Sequence, residues 1–69
     1  MRKKEILLKL SKSNPKIGYI YLANHPGPGI AGACVKRMAL AELIDKYIGP
    51  PVYLDFDKKG ELIGIEIIP

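Results

Sequence analysis

Seven acidic side chains, one histidine and one cysteine are the groups in this 69-residue chain from which acid–base, nucleophilic or metal chemistry could be built. Asp55 and Asp57 lie two apart in an alternating segment, so their carboxylates project from one strand face, with Glu61 just across a turn; such a group could take a hard cation or move a proton. The plainer reading is a turn-forming Asp57 and a solvated Asp55. Glu66 stands among Gly64, Ile65, Ile67 and Ile68, where a carboxylate needs water or a basic partner; a lysine of the N-terminal strand is the expected one. His25 and Cys34 form a nominal base and nucleophile nine residues apart, but no third group is evident to orient the base. They read better as an exposed loop histidine and a small buried apolar thiol. With two soft ligands in all, they make no structural zinc site, and we expect no metal, no cofactor and no catalytic residue.

Gly27-Pro28-Gly29-Ile30-Ala31-Gly32 spells G-x-G-x-x-G after a predicted strand, with Asp55 downstream, as in a dinucleotide-binding turn. Three residues, Asn24-His25-Pro26, separate those glycines from the strand, and Pro28 lacks an amide where one should point at phosphate. The segment is expected to be a shaped connector.

Tyr19 and Tyr21 accompany a basic N-terminus. Residues 1–16 hold Arg2, Lys3, Lys4, Lys9, Lys12 and Lys16 against Glu5, whereas the rest of a chain of net charge +4 is nearly neutral. Aromatic rings beside lysines could stack on bases and meet phosphates, so nucleic acid is one candidate partner.

These groups must be positioned by short elements. Glu5–Leu10 reads as a strand ended by Ser11-Lys12-Ser13-Asn14-Pro15-Lys16, and Ile17–Leu22 as a second strand with Ile17, Tyr19 and Tyr21 on one face. Residues 30–37 are open between strand and helix. Met38–Ile48 carries strong helix formers with Leu40, Leu43, Ile44 and Tyr47 at helical spacing, and Gly49-Pro50-Pro51 ends it. Val52, Leu54 and Phe56 alternate with Tyr53, Asp55 and Asp57. Asp57-Lys58-Lys59-Gly60 then turns the chain into Glu61–Ile68, a C-terminal β-hairpin. A four-residue loop would set Leu54 against Ile63 and Val52 against Ile65; a three-residue loop with a glycine bulge shifts each pair by one.

The stretch Leu54-Asp55-Phe56-Asp57, then Gly60, Leu62 and Gly64-Ile65-Glu66-Ile67, resembles the ending of a family of small bacterial proteins of unknown function. Its form there is Leu-Asp-x-Asp, a turn with Gly, then Leu-x-Gly-Ile-Glu-Ile. Asn14 to Leu22 is similar to the family's opening, an Asp-Pro-Glu turn before a Tyr-Ile-x-Leu strand, with Asn14 and Lys16 in place of the acids. The resemblance implies a small sheet-rich domain and brings no activity with it.

The expected fold is therefore a single α+β domain over residues 1–69: an antiparallel sheet of four or five strands, one helix over about 38–48 and a C-terminal hairpin. One cysteine excludes an internal disulfide, and no apolar run is long enough for a bilayer or a signal-peptide core, which sets a cytoplasmic expectation. A chain this short buries only about 60% of its unfolded surface, and 48% of its residues are hydrophobic. An apolar sheet face or edge is expected to remain, with Tyr19, Tyr21, Tyr53, Ile63 and Ile65 competing for cover from another copy or a protein partner. The functional expectation is a non-enzymatic interaction module: an inhibitor, antitoxin-like or accessory protein. Nucleic-acid binding through the basic segment with Tyr19 and Tyr21 is the second.

Overall fold

The computed structural model describes residues 5–27 and 32–69. Five strands, β1 (Leu7–Leu10), β2 (Gly18–Tyr21), β3 (Lys36–Ala39), β4 (Val52–Phe56) and β5 (Leu62–Ile67), form one sheet in the order β1-β2-β5-β4-β3, with every neighbouring pair antiparallel. One short helix, α1 (Leu40–Leu43), follows β3 directly. The protein is thus mostly β with a little helix.

The two turns predicted from polar composition form as read. Between β1 and β2, the Asn14 side chain accepts from the Lys16 amide at 3.1 Å, the Ile17 amide bonds the Asn14 carbonyl at 2.9 Å, and the Ser11 amide closes onto the Ile17 carbonyl at 2.9 Å. Between β4 and β5, Oδ1 of Asp57 accepts from the amides of Lys59 and Glu61, both at 2.9 Å. Gly60 supplies the positive φ of 85° that this tight reversal requires. The first pair beyond the turn is Phe56 with Leu62, one residue from the four-residue-loop register. A bulge at Ile63 then adds a further step, so Leu54 opposes Ile65 and Val52 opposes Ile67 rather than Ile63 and Ile65. The hairpin forms as expected, and the register left open between two loop lengths is fixed by the turn and the bulge together.

The helix expected over residues 38–48 shrinks to a single turn. Met38 and Ala39 pair in β3 with Leu54 and Tyr53, so the sheet takes the start of the segment. Ile44 is already extended at φ −117°, and Lys46 lies in the left-handed region at φ 58°. Propensity is a weak prior, short helices are marginal, and α1 has neither a side-chain N-cap nor a buried face. Its neighbours are β3 and β4 alone, so it leaves β1, β2 and β5 uncovered. Gly49 lies well past this helix and does not terminate it. Residues 30 and 31 of the ambiguous stretch lie outside the described residues, whereas Lys36 and Arg37 are strand.

Among the described residues Ile63, at the bulge, is the one fully buried apolar side chain, and Asp55, 3% exposed, the one buried ionisable residue.

Candidate functional site: two faces of one sheet

Opposed residues of an antiparallel sheet share a face and successive residues alternate, so the register sorts the strands into two surfaces. One face carries the row Leu7, Tyr21, Gly64, Asp55, Arg37 and, beside it, Lys9, Tyr19, Glu66, Tyr53, Ala39. The other carries Leu8, Ile20, Ile65, Leu54, Met38 across all five strands, flanked by Leu10, Gly18, Ile67, Val52 and by Leu62, Phe56, Lys36.

The polar face is organised around Asp55. Arg37, directly opposite on β3, grips the carboxylate with two bonds, Nε to Oδ1 at 2.7 Å and Nη2 to Oδ2 at 3.0 Å. Its remaining arm donates from Nη1 to Glu66 Oε1 at 2.8 Å, and the guanidinium carbon lies 5.6 Å from the Tyr53 ring centre. Tyr19 donates its hydroxyl to Asp55 Oδ2 at 2.8 Å. To do so the ring crosses β5 over Gly64, where any β-carbon would collide with the phenol oxygen and its ring carbon. Tyr21 meets Tyr19 edge to face at 4.6 Å, and His25 meets Tyr21 at 4.8 Å.

Burial alone would raise the Asp55 pKa, but the hydrogen bonds from Arg37 and Tyr19 and the guanidinium charge outweigh it, and the carboxyl is held below its ordinary value. Burial, the hydrogen bond to Asp55 and the carboxylate's charge together push the Tyr19 phenol well above the usual phenol range. Both shifts lead away from neutrality, opposite to what general acid–base catalysis uses. Three of the five N–H donors of Arg37 and both oxygens of Asp55 are engaged internally. The arrangement ties four strands together, β2, β3, β4 and β5.

The apolar face has no such network. Ile20, Ile65, Ile67, Val52, Leu54, Met38 and Phe56 remain half-buried, and on the edge strand Leu8 and Leu10 are 62% and 54% exposed. No second layer of secondary structure lies on it among the described elements. Lys36, at its margin, is its one charged residue in the strands.

The five residues expected to compete for cover do not form one surface. Tyr19, Tyr21 and Tyr53 lie on the polar face, Ile65 occupies the centre of the apolar one, and Ile63 is enclosed at the bulge. Arg2, Lys3 and Lys4 lie outside the described residues; Lys9 is on the polar face, and Lys12 and Lys16 are exposed in the β1–β2 turn. Asp55 is buried rather than solvated, and Asp57 is committed to its turn, so the carboxylate pair does not converge. Glu66 finds a basic partner, but it is Arg37 and not an N-terminal lysine. Cys34 is exposed rather than buried, its thiol directed at the Lys36 carbonyl at 3.4 Å, and His25 is half-buried rather than exposed, its Nδ1 accepting from the Gly27 amide at 2.9 Å. Residues 28–31 of the glycine-rich segment lie outside the described residues; the strands it joins, β2 and β3, sit apart in an antiparallel sheet, without the βαβ unit of a dinucleotide fold. Sequence reasoning missed Arg37 and the role of Gly64. The signal for the second was present, since an isolated glycine inside a strand marks a bulge or a close approach.

No helix among the described residues is long and apolar enough to cross a membrane. A family model described as "Protein of unknown function (DUF2283)" matches residues 16–68, and the chain belongs to this family. No curated protein and no solved structure matches it. The matched span holds β2 to β5, and with them Tyr19, Arg37, Asp55, Gly64 and Glu66; β1 precedes it.

Proposed function

We propose that this chain is a non-enzymatic protein-interaction module, of the inhibitor, antitoxin-like or accessory kind, working through the apolar face of its sheet. The observation that carries the reading is the uninterrupted row Leu8, Ile20, Ile65, Leu54, Met38, flanked by further apolar residues and left half-exposed. Contiguous apolar surface of this kind on a small protein marks a site of contact with another surface. The polar face supports the same reading from the other side, because Arg37, Asp55 and Glu66 pair with one another there and brace the sheet.

Nucleic-acid binding would use the polar face, with Lys9, Tyr19 and Tyr21. There the two rings stand edge to face, and the Tyr19 hydroxyl is held by Asp55. No observation favours that reading over the first.

A dye that fluoresces on apolar surfaces, anilinonaphthalene sulfonate, tests the proposal without knowledge of the partner. Over a dilution series the folded protein is expected to bind it as any association is released, and Leu54→Lys to remove the signal while the far-ultraviolet strand spectrum persists. Dye binding unaffected by Leu54→Lys and by Ile65→Lys would remove the basis for the proposal.

A further inference from the structure

Resting on that reading of the apolar face, we propose that the cleft at its β3–β4 corner docks an acidic segment of a partner protein, an apolar side chain entering the cleft while a neighbouring carboxylate meets Lys36 and Lys58.

Shape is the first argument. Lys36 and Met38 of β3 and Phe56 of β4 share the apolar face, and the Val35 amide bonds the Phe56 carbonyl at 3.0 Å, which carries the β3–β4 pairing one residue beyond the strand. Where the chain leaves β4 for its turn, Val35, Met38 and Phe56 line an open cleft of about 350 Å³. Ligand pockets run from roughly 300 to 1,000 Å³, so this one suits the side chain of a short segment and not a broad folded surface. Val35, in its wall, is 59% exposed.

Charge is the second argument, and it selects the chemistry of the segment. Lys36 and Lys58 also line the cleft, and among the described residues neither pairs with a carboxylate. The one acid beside them, Asp57, has Oδ1 occupied by the amides of Lys59 and Glu61. The acids of the strands, Asp55 and Glu66, lie on the opposite face and pair with Arg37. Apolar walls with free ammonium groups attract a segment of opposite charge and fix the direction in which it lies. The lysine stems extend those walls while their ammonium groups stay in water.

Continuity with the rest of the face is the third. Met38 belongs both to the cleft and to the row Leu8, Ile20, Ile65, Leu54, Met38, so a segment anchored in the cleft runs on over the centre of the sheet without crossing an ionisable group. A second copy of the chain, with net charge +4, has the wrong sign for the same place.

The test is amide-resolved nuclear magnetic resonance on the full chain, titrated with three blocked hexapeptides that share a central Phe-Leu and carry Glu, Ser or Lys at the flanking positions. The Glu peptide is expected to shift the amides of Val35, Met38, Phe56 and Lys58, to bind at least tenfold more tightly than the Lys peptide, and to weaken as salt is raised. Lys36 and Lys58 are exposed, so the double variant Lys36→Glu, Lys58→Glu should keep its strand spectrum and reverse the order of the peptides. Equal binding of the Glu and Ser peptides, an order that the double variant leaves unchanged, shifts confined to other basic positions such as Lys12 and Lys16, or no shift at millimolar peptide would overturn the proposal. Any of these results beside dye binding that Leu54→Lys still removes would strike the cleft alone. Dye binding indifferent to Leu54→Lys and Ile65→Lys would remove the reading of the face on which the cleft rests.

Discussion

Tyr19 on β2 reaches Asp55 on β4 by passing over Gly64 on the strand between them, and its hydroxyl arrives 2.8 Å from Oδ2. One missing β-carbon therefore lets a ring tie together strands that do not touch. Arg37 closes the same carboxylate from β3, so four of the five strands contribute to one arrangement.

Gly64→Ala is expected to displace the Tyr19 ring and to cost about 1–3 kcal/mol through overpacking and the lost bond to a buried acceptor. In a Tyr19→Ala background the same change should cost far less, because the collision partner is gone. Urea denaturation of the four proteins in this cycle measures the coupling.

Asp55 makes stability depend on acid. Its folded pKa lies below the unfolded value of 3.8, so its contribution is fully present above that value and is lost as pH falls through the folded one. Thermal unfolding followed from about pH 5 downward should show this loss, and Asp55→Asn should flatten it while lowering stability at neutral pH. Arg37→Met leaves the buried carboxylate without its cation; with Arg37 itself 43% exposed, the expected cost is about 2–3 kcal/mol.

Tyr19 acts at the opposite end of the scale. A phenol whose folded pKa is raised stabilises the protein below the unfolded value of 10.0, and that stability is lost as pH rises towards the folded one. Alkaline titration monitored by tyrosinate absorbance should contain a late component that Tyr19→Phe removes.

The β4–β5 turn is predicted to matter for stability and not for association. Asp57→Ala removes the acceptor of the Lys59 and Glu61 amides and should cost about 1 kcal/mol. Its mass in solution should match that of the unaltered chain.

The strands were legible because alternation and turn chemistry are local: Asn14 and Asp57 make the hydrogen bonds that their residue types favour, and the segments around them pair as expected. What was not legible depends on contacts distant in sequence. Leu40, Leu43, Ile44 and Tyr47 have helical spacing, but nothing in the sheet receives such a stripe, and β4 recruits Met38 and Ala39 instead. The burial of Asp55 follows from Arg37, 18 residues away, and Tyr19, 36 away. The bulge at Ile63 moved the hairpin register in a way that turn length alone does not encode.

The most direct test of the account compares the two faces in one measurement: binding of the apolar-surface dye by the unaltered chain, by Leu54→Lys on the apolar face and by Lys9→Glu on the polar face, each with its far-ultraviolet strand spectrum recorded. The account predicts dye binding by the first and third and its loss in Leu54→Lys with the strand spectrum kept. Dye binding that Leu54→Lys preserves and Lys9→Glu abolishes would contradict it, because the exposed contact surface would then belong to the charged face.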